Sequence, residues 1–259
     1  MTKKLHFLKG GTEQTAKAYS TTAEAGSNYI TNDIDNTTCY IPIGATDDAQ
    51  ATIGRITKGG TTYAIKSQAK PAYTEQSWTT PGTYTWTAPA GVTRVRVAVC
   101  GGGGGGTNSD YDKQNPQSGD TSKFGSLIQA TGGNGARRTG VYDDSDNYTL
   151  DSEPGSGGSP NGRNGSKDRR NGSGGQGFAL SFSLTNNSYG SGGTASSGTP
   201  MNTASGGGSG GYNTNYVNVS PGSSYSIVVG AGGYGLDANN KKTFYGNSGF
   251  VLIAYGGDI

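Results

Sequence analysis

Apolar residues come in short bursts along this chain, and the clearest bursts alternate with polar residues. Tyr84 and Trp86 alternate with Thr83, Thr85 and Thr87, and Val95, Val97 and Val99 alternate with Arg94 and Arg96. A period of two is the pattern of a half-buried strand, with successive side chains on opposite faces. It predicts a strand over Val92–Cys100 with its arginines facing away from its valines. The turn pairs Pro81-Gly82 and Ala90-Gly91 bound the preceding strand. Further strands are predicted over Lys123–Thr131 and Phe250–Tyr255, and Tyr216–Val229 is predicted as a hairpin around Pro221-Gly222. These strands lie at both ends of the C-terminal half, so they must pair across it, as a sheet or sandwich base from which the segments between them are extruded.

The first 70 residues differ. Leu5–Leu8, Tyr29–Thr31, Thr38–Ile43, Thr52–Ile56 and Thr61–Ile65 are short strand candidates separated by glycine pairs or Asn/Asp clusters. The one helix-like piece is Glu13–Ala25. The stretch Lys66–Gln76 has linker composition, which divides the chain into a small β-rich module (1–70), a linker (71–76) and a larger domain (77–259).

Glycine is concentrated in that larger domain. Six consecutive glycines, Gly101–Gly106, follow directly on the Val92–Cys100 strand, and further blocks start at Gly132, Gly155, Gly172, Gly190, Gly206 and Gly230. Each glycine has the most backbone entropy to lose and no side chain to bury, so these blocks are either flexible linker or a structure that only glycine can build. A flexible linker is ordinarily one Gly/Ser segment between two domains. Here about seven blocks are dispersed through one region and bracketed by strands. That arrangement fits extended helices with three residues per turn, whose outward N–H and C=O groups bond between neighbours where no Cβ intervenes. The strict Gly-X-Y repeat of collagen is missing. The expected fold is therefore mainly β with little or no α-helix: a small β-rich N-terminal module, then a β-sandwich-like base carrying a polyglycine II helix bundle with apical loops. Tyr, Ser, Gly and Asn fill the segments between blocks, the composition of adaptable recognition loops. The candidate binding residues on them are Tyr111, Arg137, Arg138, Tyr142, Asp143, Tyr148, Asn187, Tyr189, Met201 and Tyr212.

Composition narrows the function classes. Only 30% of the 259 residues are hydrophobic and 15% are charged, with 48 glycines and 16 tyrosines. An oily core can account for only part of such a chain, and the low charge argues against a disordered polyelectrolyte. A net charge of +2 is too small to imply nucleic acid, and the one basic cluster, Arg163–Lys167–Arg169–Arg170, reads as a solvated loop. Cys39 and Cys100 are too far apart for a disulfide framework or a metal site and are expected to be reduced and buried. The N-terminus lacks the apolar stretch of a signal peptide and no segment is long enough to span a bilayer, so synthesis in a cytoplasm is expected. His6 is the one histidine, placed in a strand with nothing to set it beside a Ser or Cys nucleophile. Asp143-Asp144-Ser145-Asp146 lacks the spacing of a calcium loop, and Gly101–Gly106 lacks the Lys-Ser/Thr of a phosphate loop. No enzyme, metal or cofactor is expected.

Trp86–Val92 running through Val95-Arg96-Val97 into Gly101–Gly106 resembles the opening of the glycine-rich domain of phage tail-fibre proteins and prophage adhesins. Phe124-Gly125-Ser126 with Ala130–Gly133, Val219–Gly222 with Val228–Gly233, and Gly246–Ile253 match its later landmarks in order. The resemblance covers about residues 77–259. In architecture the chain is also similar to the distal adhesin of T-even-like phage tail fibres, a stack of polyglycine helices with receptor-gripping tip loops. The resemblance implies a receptor-binding protein at a virion's tail-fibre tip. Its partners would be a bacterial surface receptor, outer-membrane protein or glycan, and a fibre or baseplate protein held by the N-terminal module. Two other classes remain open: a structural or ice-binding glycine-rich protein, which needs a flat, regular Thr- or Ala-rich face, and a cell-surface glycan hydrolase, whose paired carboxylates only spatial separation identifies.

Overall fold

A computed structural model describes residues 3–9, 12–18, 29–34, 37–44, 52–58, 61–66, 72–108, 115–142, 148–168, 171–196, 203–236 and 241–256. Among them there are strands and no helix, so the chain is mainly β as the alternation predicts.

In the N-terminal module Lys3–Lys9 pairs antiparallel with Thr12–Ala18, and a four-stranded sheet runs in the order Tyr29–Ile34, Thr37–Gly44, Thr61–Lys66, Thr52–Lys58. The expected helix from Glu13 is therefore corrected: Glu13 stands opposite Leu8, in register across the short connection at 10–11. Pairing with an adjacent apolar strand outweighs the modest helix propensity of Glu, Gln, Lys and Ala. The remainder of the expected helix, 19–25, lies outside the described residues. His6 stands opposite Thr15, and Cys39 lies in Thr37–Gly44.

The larger domain is built on two four-stranded antiparallel sheets. One runs Ile128–Ala130, Ser122–Phe124, Ser224–Val229, Gly82–Thr87; the other runs Tyr212–Asn218, Arg94–Cys100, Phe250–Tyr255, Thr74–Trp78. Their facing sides make one core, with Val95, Val97, Val99, Val251 and Ile253 from the second sheet against Trp86, Phe124, Ile128, Ile227 and Val229 from the first. Trp86 is its centre, 5.8 Å from the Phe124 ring, 6.0 Å from Tyr225 and 5.8 Å from Tyr255. The arginines of Arg94–Cys100 point away from this core, as the alternation requires.

Three expectations are corrected here. Thr74–Gln76, placed in the linker, begin the outer strand of the second sheet and pair with Ile253–Tyr255. Lys123–Thr131 is two strands folded back at Gly125, whose φ of 54° is the left-handed conformation that glycine tolerates best. The segment Tyr216–Val229 is an arch and not a hairpin, because Tyr212–Asn218 belongs to one sheet and Ser224–Val229 to the other. Pro221-Gly222 carries the chain across the end of the sandwich, and Gly222 donates to the Ala88 carbonyl. Both halves alternate, but each buries its apolar residues from the opposite side of the core, which periodicity alone does not reveal.

Above the sandwich the glycine blocks form a lattice. Successive amides of 101–106 donate to three different neighbours in rotation. Gly101 and Gly104 bond Gly211 and Gly208, Gly102 and Gly105 bond Asp120 and Gln117, and Gly103 and Gly106 bond Asn247 and Phe244, at 2.8–3.0 Å. A partner that recurs every third residue means three residues per turn. The carbonyls of the same segment accept from three other neighbours: Gly133 and Ala136, Gly233, and Gly193. This rod thus has six neighbours, the hexagonal packing of polyglycine II. Rod 205–211 is a second centre. Its amides at 206 and 209, 207 and 210, and 208 and 211 donate to rods 162–166, 190–195 and 131–136, and it accepts from rods 101–106, 155–159 and 172–177. The two centres share rods 131–136 and 190–195, as adjacent sites of a hexagonal net must. The eight outer rods close a ring through their own bonds, in the order 131–136, 115–120, 230–236, 244–249, 190–195, 172–177, 162–166, 155–159 and back. Rods 115–120, 162–166 and 244–249 hold few glycines, so block counting did not single them out.

Candidate functional site

Rod directions sort the connections into two ends. Cys100, Ala130 and Val229 lead from sandwich strands into outgoing rods, and rods 205–211 and 244–249 return into Tyr212–Asn218 and Phe250–Tyr255. The base connections are therefore 121–130, 160–161, 178–189 and 212–229. At the other end, the tip, the chain crosses between rods at 107–114, 137–153, 167–172, 196–203 and 237–243. Short pairings knit the described parts of these crossings: Ala204–Ser205 lies between Thr107–Asn108 and Lys167–Asp168, and Asn171–Gly172 pairs with Ala195–Ser196.

The largest tip connection is the hairpin Arg137–Tyr142/Tyr148–Glu153. A side-chain clasp fixes its foot. The Asp151 carboxylate takes an ion pair from Lys167 at 2.6 Å, a hydrogen bond from the Thr203 hydroxyl at 2.8 Å and one from its neighbouring Ser152 amide at 2.8 Å. Buried Ser152 Oγ lies 3.0 Å from Thr203 Oγ1 and 2.9 Å from Ser205 Oγ. Burial by itself would raise the Asp151 carboxyl, but the bonds from Lys167, Thr203 and the Ser152 amide hold it below its ordinary value. One carboxylate thereby ties together the 137–153, 167–172 and 196–203 connections, and the Ser152, Thr203 and Ser205 hydroxyls bond one another where an unpaired polar group would be costly.

The candidate residues distribute unevenly over this frame. Arg137 is exposed and Arg138 half-buried at the start of the tip hairpin, opposite Glu153 and Ser152, and the Arg138 amide donates to Asn115 Oδ1. Tyr142 and Tyr148 stand opposite each other in register as its outermost described pair. Tyr111, Asp143 and Met201 lie outside the described residues. Asn187 and Tyr189 are at the opposite end, in the base segment 178–189. Tyr212 is corrected outright. It is fully buried, stacked on Phe178 at 5.1 Å, and its hydroxyl donates to the Ser181 carbonyl. Burial raises its pKa. The reason lies in the segment 178–189, which covers the outer face of the second sheet. Phe178, Leu180, Phe182 and Tyr189 form a second core with Ala98, Cys100, Tyr212, Phe250 and Leu252. Arg96 holds this cover from outside, its guanidinium 4.7 Å over the Phe182 ring and bonded to the Phe182 carbonyl. Cys100 is a free thiol under Tyr189, pushed up to about 12 by burial, and so is inert at neutral pH. Arg163, read as part of a basic loop, is half-buried in a rod with its guanidinium 4.7 Å over the Phe178 ring.

The sequence reading missed the Asp151–Lys167–Thr203 clasp, whose members are 16 and 52 positions apart with no local signal. Tyr234 and Tyr245 on adjacent outer rods, neither of them singled out in sequence, pack with ring centroids 6.2 Å apart near the tip. Among the described residues no group of His, Cys, Asp and Glu could hold a metal ion. No family model, curated protein or solved structure matches the chain.

Proposed function

We propose that this chain is a receptor-binding adhesin at the tip of a phage tail fibre, and not an enzyme. The observation that supports this reading is a main-chain lattice that delivers five connections to one end, three of them tied at their feet by the Asp151 clasp. A rigid scaffold bearing variable loops at one end suits recognition, because little order remains to be imposed on binding. The tip would meet an outer-membrane protein or glycan of the host, and the N-terminal module would join the fibre or baseplate.

The test is loop exchange in the intact chain. Replacing the hairpin 137–153 with that of a chain of different host specificity should redirect attachment in a whole-cell binding assay. Replacing 178–189, which packs on the base, should lower stability and leave host choice unchanged. Unaltered host choice after replacing 137–153 together with the 196–203 connection would overturn the reading.

A further inference from the structure

We propose that Asn171-Gly172, at the tip, is a self-modification site. Its asparagine converts to aspartate and isoaspartate through a cyclic imide, while the lattice holds the other Asn-Gly pairs of the chain intact. The inference does not rest on the adhesin reading. Asn-Gly is the dipeptide in which this reaction meets least hindrance, because glycine places no Cβ beside the attacking amide. The Gly172 nitrogen attacks the side-chain carbonyl carbon of Asn171 and a C–N bond forms. The amide proton passes through solvent to the departing side-chain nitrogen, which leaves as ammonia. Water then adds at either carbonyl of the ring and breaks its C–N bond, which gives aspartate or isoaspartate at 171.

The chain carries four such pairs, at 134–135, 161–162, 164–165 and 171–172. Three of them are held at both reacting groups. The Asn134 side chain donates to Ser156 Oγ at 2.6 Å, and the Gly135 amide donates to Ser118 Oγ at 3.3 Å. Asn161 Nδ2 donates to the Tyr212 carbonyl at 3.0 Å, and the Gly162 amide to the Gly158 carbonyl at 2.8 Å. Asn164 Oδ1 accepts the Gly157 amide at 2.9 Å, and the Gly165 amide donates to the Gly155 carbonyl at 2.9 Å. Each of these asparagines reacts only after its side chain and the next amide have both left their partners.

Asn171 differs. It is exposed, and its side chain has no hydrogen-bond partner among the described residues. It stands where the 167–172 connection enters its rod, and the pair is laid against Ser196 and Ala195 in a ladder two residues long. Gly172 is buried against Ala204 and Ser205, so the pair reacts from a locally frayed state. A two-residue ladder at the end of a rod opens at far lower cost than a rod interior. The product sets a new carboxylate in one of the three connections tied by the Asp151 clasp. Its isoaspartyl form also lengthens the main chain by a methylene, which breaks the Asn171–Ser196 register.

Full-length native protein is incubated at mildly alkaline pH beside the same chain in denaturant. Peptides are then mapped by mass spectrometry with a fragmentation that separates aspartate from isoaspartate. The denatured chain supplies the reference rate for each pair. In the native protein Asn171 is expected to convert within about tenfold of its denatured rate, and the other three at least about a hundredfold more slowly than theirs. Conversion should slow in mild acid, where hydroxide no longer draws off the amide proton. Asn171→Gln, which keeps an exposed amide, should melt like the parent and yield no early acidic species on isoelectric focusing. Native Asn171 lasting as long as the other three asparagines overturns the proposal, as does an undiminished early acidic species from Asn171→Gln. Because the readout is the mass of the protein alone, failure here leaves the attachment assay untouched, and failure of loop exchange leaves this site untouched.

Discussion

At the scale of the residue, lattice glycines such as Gly103 are required for space and not for conformation. Gly103 has no left-handed φ, yet a Cβ built on it would overlap the backbone carbonyl of Ser191. Gly222 is the reverse case, with a φ of 77° and open space around its Cα. Gly103→Ala is therefore expected to destabilise by about 3 kcal/mol or more, because two rods must separate. Gly222→Ala should cost about 1 kcal/mol, the penalty for a Cβ in the left-handed region. Thermal melts of the two variants check the ranking, and equal losses would contradict it. Small polar side chains are admitted where they find a partner between rods. Buried Ser209 sits in a central rod and accepts the Arg163 amide at 2.8 Å, and Asn134 reaches Ser156 Oγ at 2.6 Å across two outer rods. The sequence shows where glycine runs are dense, as at 101–106. It does not show that rod 115–120 belongs to the same lattice, because an outer rod needs a glycine only where it faces another rod. Gly119 is the one such position there, and its virtual Cβ meets the Gly102 carbonyl.

Among elements, the strands of the base are legible in sequence where alternation is strict, and their partners are not. Arg94–Cys100 and Phe250–Tyr255 stand as expected, while the arch at Pro221-Gly222 looks in sequence like any hairpin. Phe250–Tyr255 is buried at all six positions, because the segment 178–189 covers the face that an open sandwich would leave to water. That segment carries alternating Phe178, Leu180 and Phe182, a pattern obscured by its neighbouring glycine blocks and therefore read as a tip loop. At the tip, the Asp151 clasp has a defined pH response. Its folded carboxyl is held below the ordinary value, so the clasp's contribution is present above that ordinary value and is lost as pH falls through the lower, folded one. Asp151 and Lys167 are 33% and 38% exposed, so solvent screens the pair and the contribution stays under about 1 kcal/mol. Asp151→Asn is expected to speed hydrogen exchange at Ser152 and Ser205 at neutral pH. The parent should approach the variant's protection only in acid below the usual carboxylate range. Parallel pH profiles for the two proteins would contradict the assignment.

For the whole molecule, sandwich and lattice are one continuous object, since strands run into rods without an intervening loop at Cys100–Gly101, Gly211–Tyr212, Val229–Gly230 and Gly249–Phe250. The sandwich carries the aromatic and aliphatic core, and the rods are held by hydrogen bonds between peptide groups. These two halves hide different kinds of surface from water, and that difference governs how stability changes with temperature. Exposure of apolar area on unfolding raises the heat capacity by about 0.45 cal/K/mol/Å², whereas exposure of polar area lowers it by about 0.26. The heat-capacity increment of unfolding should then fall below the usual value of about 12–15 cal/mol/K per residue, as measured by scanning calorimetry of the full chain; an increment at that usual value would contradict the reading. A small increment gives a broad, shallow stability curve. Bonds between peptide groups do not weaken in the cold as apolar burial does, so a protein fastened in this way keeps its shape across a wider span of temperature than an oily core of the same size.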